Sequence, residues 1–332
     1  MSQSVSAAAP AAASEQTTTI SPGQSQSLGL ARGCLALLPP DPAWTGLAQA
    51  TLLRLRQILG DHVLEIQHVG STAIWGIRAK PILDFVVGVQ ALNDIKPLVP
   101  ALQAQGFIPR PWPQDQRQLF FACGDYSQPR GLQTHFIHVV VRYSDEWRQY
   151  VDFRDYLNAR PSQAQAYEAL KLSLAQRFSQ DPDRSRYLAG KSQFIQQILR
   201  RAALWRWLGQ QVTVTVDRPA GTYHPEHPGL YYPLNYGYLP GQPGGDGEAL
   251  DAYVLGPTQP LEQVCGRVIA GIYRHDDQED KLVVLATDPG GCDRLPGAEA
   301  AALAPADPVW TPEAILSAVS FQERYFDGEI IC

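Results

Sequence analysis

The stretch "HVGSTAIWGIRAKPILDF", residues 68–85, decides how the first half of the chain is read. The run before it, "VLEIQHV" (63–69), reads as a strand, and "ILDFVVGV" (82–89) reads as a second one. The turn between them opens on Gly70-Ser71, whose backbone N–H groups and hydroxyl can face a phosphate. Asp84, on the returning strand, can hold Mg²⁺ against the same phosphates. A tight turn followed by one acid at a strand start leaves the same trace, so spacing alone keeps both readings open.

Working outward, residues 43–60 place apolar side chains at helical spacing and end on Gly60. A shorter helix is expected around 91–105, stopped at Gly106, and "QLFFAC" and "THFIHVVVRY" are strand-like. From 145 to about 208 the pattern is helical. Trp147, Tyr150, Phe153 and Leu157 form one apolar stripe, and Pro161 and Asp181-Pro182 divide the region into three helices. Residues 31–208 therefore predict an α/β or α+β domain. At Gly209 the character changes. "VTVTV" (212–216) alternates as a strand, Gly and Pro punctuate 219–260, and "CGRVIAGIYR" and "KLVVLA" add further strands before a short helix at about 311–319. Residues 209–332 predict a mainly-β domain with a small closed sheet. The fold class expected for the whole chain is α+β. Residues 1–30, rich in Ala, Ser, Thr and Gln, read as a disordered tail.

Composition narrows the function classes. The 332 residues are 45% apolar and 18% charged, ordinary globular values. A net charge of −6 argues against binding to nucleic acid. Five scattered cysteines argue against a disulfide framework and for a reducing compartment. No apolar stretch approaches the roughly 20 residues of a membrane span. A cytoplasmic protein without a membrane partner is the expectation.

A second motif, "GGDGEALDAYVLG" (244–256), places Asp246, Glu248 and Asp251 within six positions. In an extended chain the first two point to one side, and a bend at Gly247 brings Asp251 to them. Clustered carboxylates repel, and a divalent cation relieves that cost. A further acidic run, "DDQEDK" (276–281), ends on Lys281 at a strand start. The pair makes a two-metal phosphate site or, equally on acidity alone, a solvated acidic loop.

Residues 68–85, continued by "THFIHVVV", "EWRQYVDFRDYL", "AYEALKLSLAQRF" and "YLAGKSQFI", resemble the GrpB family, a group similar to nucleotidyltransferases. The resemblance covers roughly residues 40–200. It implies a nucleotidyltransferase-like mixed sheet flanked by helices and a site at Gly70, Ser71 and Asp84. His68, Lys80 and His138 are expected to replace a missing ligand or to grip phosphate, since Ile82 stands where such enzymes usually carry a first acid. His135 is a further histidine in the same region. Arg154, Lys171, Arg186 and Lys191 match the family pattern on the helices and are candidates to reach the pocket. A nucleoside triphosphate is the implied ligand.

The run "YYPLNYGYLPG…GGDGEALDAYVLG…DDQEDKLVV" resembles the soluble, Mg²⁺-dependent family I inorganic pyrophosphatases over about residues 212–332. The resemblance implies a small barrel with metal acids Asp246, Glu248, Asp251 and Glu279. It also implies a phosphate-gripping Lys281, an active-site Tyr236, a late phosphate-touching Tyr325, and an early acid, Asp217. Mg²⁺ is the implied cofactor, and pyrophosphate or another phosphoanhydride the implied substrate. The family's hairpin with its Lys, Glu and Arg is absent; His224 and His227 lie in its place, and Phe326 stands for a late lysine. The roles of Asp276 and Asp277 are left open, as is the oligomeric state. Two functions follow: Mg²⁺-dependent phosphoanhydride hydrolysis coupled to a nucleotide-binding domain, or a non-catalytic nucleotide or phosphate sensor.

Overall fold

The computed structural model describes residues 28–111, 117–125, 127, 131–179, 185–288 and 310–332. Most of the expected tail therefore lies outside the described residues, as does Asp181-Pro182. The first half runs β1 (Leu30–Ala31), α1 (Ala43–Leu59), β2 (Val63–Val69), β3 (Leu83–Val89), α2 (Val99–Ala104), β4 (Phe107–Arg110), β5 (Gln118–Gly124), β6 (Leu132–Val141), α3 (Asp145–Ala159), α4 (Pro161–Arg177) and α5 (Ser185–Trp205). Its sheet has the order β2-β3-β6-β5-β4, with β1 joined to β6. The β3–β6 pair is parallel and the rest antiparallel, so the sheet is mixed.

Strand alternation sorts β3 between two layers. Leu83, Phe85, Val87 and Val89 face α1, whose Trp44, Ala48, Leu55 and Leu59 recur at helical spacing. Val86 faces the other way, toward Trp147 of α3. At Gly88 a Cβ would come within 2.8 Å of the Trp147 ring, so the missing side chain is what lets α3 lie flat on this face. Asp84 shares the α3 side. Ser144 caps α3 by accepting from the Trp147 N–H, and Pro161 starts α4 at its first turn.

The second half runs β7 (Gln211–Arg218), β8 (Thr222–Tyr223), β9 (Tyr231–Tyr232), β10 (Asn235–Pro243), β11 (Ala249–Leu255), β12 (Gln263–Arg274), β13 (Lys281–Asp288), α6 (Pro312–Glu323) and β14 (Gly328–Ile331). Five strands close into a ring, β13-β11-β10-β7-β12 and back to β13, with β14 added on β12. Only β11–β13 is parallel. The α+β class and the small barrel are thus observed.

One apolar cluster is shared by both halves. It joins Tyr156, Tyr167, Ile198, Ala202 and Leu204 of the helices to Val214, Val254, Val264, Val268, Tyr273 and Val284 of the barrel. Among the described residues no helix is long and apolar enough to cross a membrane. Cys123 and Cys332 carry free thiols, whereas Cys265 is disulfide-bonded. A bonded cysteine departs from the expectation of a reducing compartment, which rested on an odd and scattered set of cysteines.

Candidate functional site

Two side-chain clusters carry the candidate chemistry. The first is built on the β2–β3 turn. Gly70 has φ 70° and ψ −173°, a conformation open to glycine, and a Cβ there would fall 2.4 Å from Oδ2 of Asp84. The turn and the acid are therefore in direct contact. Burial raises the Asp84 carboxyl to about 7, against the pull of the Lys80 and Lys191 charges. His138, paired with Val86 across the parallel ladder, brings Nε2 to 4.0 Å from Asp84 Oδ1. Burial lowers His138 to about 4, so it stands beside the acid as a neutral imidazole, with Nδ1 2.9 Å from the Tyr150 hydroxyl.

Helices α4 and α5 and the β2–β3 connection supply the cations. Lys171 is buried, its Nζ donating to the Arg78 carbonyl at 2.5 Å, and burial with the Lys191 charge lowers it to about 7. Lys80 and Lys191 lie 4.7 and 4.9 Å from the centre of the Tyr187 ring. Tyr167 hydrogen-bonds Ser71, and burial raises its hydroxyl to about 12. Gly70, Ser71, Lys80, Asp84 and His138 are thus brought together, with Lys171 and Lys191. The tyrosines were missed. A legible signal existed: Tyr-x-x-x-Lys recurs at 167/171 and 187/191, the i,i+4 spacing that stacks each lysine on its own tyrosine in a helix.

His68 is not part of this group. It pairs with Phe85, and its ring lies 5.4 Å from that of Phe85 on the α1 side of the sheet, the side opposite Asp84. Burial and the Arg154 charge lower it to about 4, and Nε2 bonds Thr72 at 2.9 Å. His135 stands on the same α1 side, near Thr51. A one-residue difference in strand parity separates these two from His138. Arg154 holds the end of β2 through the His68 carbonyl and Gln67.

The second cluster lies at one end of the barrel. Tyr238 pairs with Asp251 across β10–β11, which sets Tyr236 diagonal to that acid, while the parallel register of Ala252 with Leu282 sets Lys281 alongside. The three polar ends converge: Tyr236 donates to Asp251 Oδ2 at 2.5 Å, and Lys281 Nζ donates to the same oxygen at 2.7 Å and to the tyrosine oxygen at 2.6 Å. Burial and the Asp251 carboxylate hold the Tyr236 hydroxyl well above its usual range. Lys281 also lies 3.4 Å from Glu279. Arg274, fully buried, reaches Glu279 at 3.3 Å, Asp277 at 3.1 Å and Glu323 at 2.7 Å, with Phe326 stacked on its guanidinium. Sequence reasoning assigned Arg274 no role; its position on the strand "CGRVIAGIYR" gave no hint of the charged loop it faces.

Asp246, Glu248, Asp251, Glu279 and Asp280 line one cavity of about 220 Å³. The segment before β11 is a turn rather than extended chain, with Gly247 at φ 91° and the Glu248 N–H on Asp246 Oδ1 at 3.1 Å. The alternation expected for Asp246 and Glu248 therefore does not hold. Tyr325 lies in the turn after α6, exposed and bonded to Arg324, and is not among the residues lining the cavity. Asp217 is near enough for the Asp251 charge to raise it, behind the larger effect of burial. His224 and His227 pack with their rings tilted, 4.7 Å between ring centres, on the β8–β9 loop.

Five carboxylates on one cavity are the oxygen donors that Mg²⁺ takes. Among the described residues, however, no three His, Cys, Asp or Glu side chains converge to hold one ion. The physical reason is visible: Lys281 and Arg274 already hold Asp251 and Glu279. The arrangement observed does not fit a metal centre.

The family model described as GrpB protein matches residues 35–201. The chain belongs to the GrpB family. A second family model, inorganic pyrophosphatase, matches residues 211–296. The glutamate-rich protein GrpB of Alkalihalophilus pseudofirmus is 36% identical over 174 residues, 52% of this chain and 98% of that protein. The crystal structure of GrpB from Enterococcus faecalis is 27% identical, covering 50% of this chain and 96% of that one with a TM-score of 0.46. An inorganic pyrophosphatase from Neisseria gonorrhoeae is 24% identical over 24% of this chain and 57% of its own, with a TM-score of 0.20. The protein thus combines a GrpB domain with a pyrophosphatase-like domain.

Proposed function

We propose that the C-terminal domain hydrolyses pyrophosphate or a related phosphoanhydride, while the N-terminal cluster binds phosphate, as in a nucleoside triphosphate. The convergence of Tyr236, Lys281 and Asp251 within 2.7 Å at the wall of an acid-lined cavity carries this reading. In the reaction a water oxygen forms a new P–O bond, the bridging P–O bond breaks, and the water proton passes to the Asp251 carboxylate. Lys281 and Tyr236 donate to oxygens on which charge develops. The pyrophosphatase resemblance implies Mg²⁺ as cofactor, and adding or chelating it tests that requirement directly. The N-terminal cluster sets Lys80 and Lys191 beside the Asp84 carboxyl and Lys171 beside Lys191, a balance that suits an anion better than a pair of cations. If this cluster transfers nucleotidyl groups, removal of the released pyrophosphate by the neighbouring domain pulls the reaction forward. A cytoplasmic site of action belongs to the same reading.

One observation favours a second reading, a phosphate or nucleotide sensor. Lys281 and Arg274 are engaged by acids of their own domain, and each charge-assisted contact withheld from a substrate phosphate costs about 1.5–3 kcal/mol. Phosphate release from pyrophosphate, measured with Mg²⁺ beside Asp251→Asn, separates the two. Turnover abolished by the substitution supports the hydrolase. Ligand-induced thermal stabilisation without turnover refutes it and supports the sensor.

A further inference from the structure

Helix α5 belongs to the GrpB domain, yet its C-terminal end is embedded in the acidic loop of the barrel. Arg200 meets Asp280 through two nitrogens, Nε at 3.0 Å and Nη2 at 2.7 Å. The same Nη2 donates to the backbone carbonyls of Arg274 at 3.1 Å and Asp277 at 2.7 Å. One guanidinium therefore ties together the last residue of β12, the loop 275–280 and the residue before Lys281. Asp280 adds a contact of its own, accepting the Arg274 N–H at 3.1 Å. The loop so held carries Glu279 and Asp280, which line the cavity, and leads directly into Lys281.

The docking around this clasp is close. Gly271 of β12 has no room for a side chain, since a Cβ there would lie 2.8 Å from Cβ of Leu204. The Arg200 and Arg201 guanidinium groups lie 4.6 and 4.0 Å from the centre of the Tyr273 ring. Arg201 pairs with Glu329 on β14 rather than with a residue of the loop 275–280. Nine residues N-terminal to Arg200 on the same helix, Lys191 lies beside the Asp84 cluster, a rise of roughly 14 Å. A planar, always charged fork suits such a clasp better than a lysine would, because it meets a carboxylate and two carbonyls in one plane.

We infer that Arg200 is a positioning residue for the pyrophosphatase-like site: the GrpB domain supplies, in cis, the group that sets the Glu279–Asp280–Lys281 segment against the cavity. The hydrolytic part of this inference rests on the function proposed above, whereas the structural part does not. Arg200 does not line the cavity, so it acts through the loop rather than on the substrate.

The test uses the full-length chain and the variants Arg200→Ala, Arg200→Lys and Arg201→Ala. The first readout is hydrogen exchange at the backbone amides of residues 274–282, which needs no activity. Arg200→Ala should speed exchange there by roughly tenfold or more while leaving β2 and β3 unchanged. Arg201→Ala, which removes a barrel contact that involves no residue of 275–280, should leave loop exchange at the native rate. The second readout is pyrophosphate turnover. Arg200→Ala should lower kcat roughly tenfold or more with little change in KM, and Arg200→Lys should restore part of it. Loop exchange that is unchanged in folded Arg200→Ala overturns the inference, as does equal acceleration in Arg201→Ala. If native protein releases no phosphate, the hydrolase reading fails, and the exchange readout still decides the role of Arg200. Should Arg200→Ala not fold, Asp280→Asn weakens the same clasp from the other side and is read by the same exchange.

Discussion

Replacing Gly70 by alanine tests the first cluster at its most constrained atom. The backbone at Gly70, φ 70° and ψ −173°, lies where side chains are excluded, and holding alanine there costs about 1–3 kcal/mol. The new Cβ would also meet Asp84, at 2.4 Å from Oδ2 and 2.8 Å from Cβ and Cγ, and the shift that relieves such overpacking costs about 1–3 kcal/mol. The sum, about 2–6 kcal/mol, lowers Tm by roughly 10 °C in a chain of this kind. Differential scanning fluorimetry and urea unfolding measure it, with inorganic phosphate present and absent. A double-mutant cycle with Asp84→Ala isolates the contact. That variant removes Oδ2 and Cγ but keeps Cβ, so part of the penalty should return as a coupling of at least about 0.5 kcal/mol. A Gly70→Ala protein within about 2 °C of native, with no coupling to Asp84, refutes the close approach of turn and acid.

Other outcomes follow from the same geometry. Asp84 sits at about 7 in the fold against an ordinary 3.8, so its contribution to stability is intact at low pH and is lost as pH rises toward 7. Asp84→Asn should therefore gain on the native protein across that window, by at most about 4 kcal/mol, as urea unfolding at pH 4 and 8 would show. Lys171 moves the other way: lowered from 10.5 to about 7, it costs the fold nothing at high pH and opposes it increasingly as pH falls from 10.5 toward 7. Lys171→Met should stabilise most at pH 6 and progressively less toward pH 10, which thermal unfolding across that range measures. Lys281→Met leaves Asp251, about a third exposed, without its cation, and should cost about 2 kcal/mol in urea unfolding together with any phosphate release.

The elements that were legible in the sequence share one property: their signal is local. Strand-like runs marked β2 and β3 and alternation marked β7, Gly60 and Pro161 marked helix ends, and the contact of Gly70 with Asp84 joins neighbouring strands of one hairpin-like unit. The helix expected at 91–105 is there only in part, because α2 begins at Val99 after a 3₁₀ stretch, Leu92–Leu98, that contains Pro97. What stayed hidden depends on non-local register. Lys281 meets Asp251 because β11 and β13 run parallel, a pairing thirty residues apart in sequence that periodicity does not encode. His68 and His138 looked equivalent as strand histidines, and only the parity of their partners, Phe85 and Val86, puts them on opposite faces. Arg200 was unremarked because an arginine on a helix in one domain carries no sign of a carboxylate in another.

The apolar cluster joining Ile198, Ala202 and Leu204 to Val214, Val264 and Val268 behaves as an interface between two molecules that happen to share a chain. The link between them is short, from Trp205 at the end of α5 to Gln211 at the start of β7. A connection of that length keeps each half at an effective concentration of order millimolar toward the other. Separation of the halves exposes greasy faces on both, and co-expression of two fragments cut near Gly209 is expected to rebuild the pair where either fragment alone aggregates.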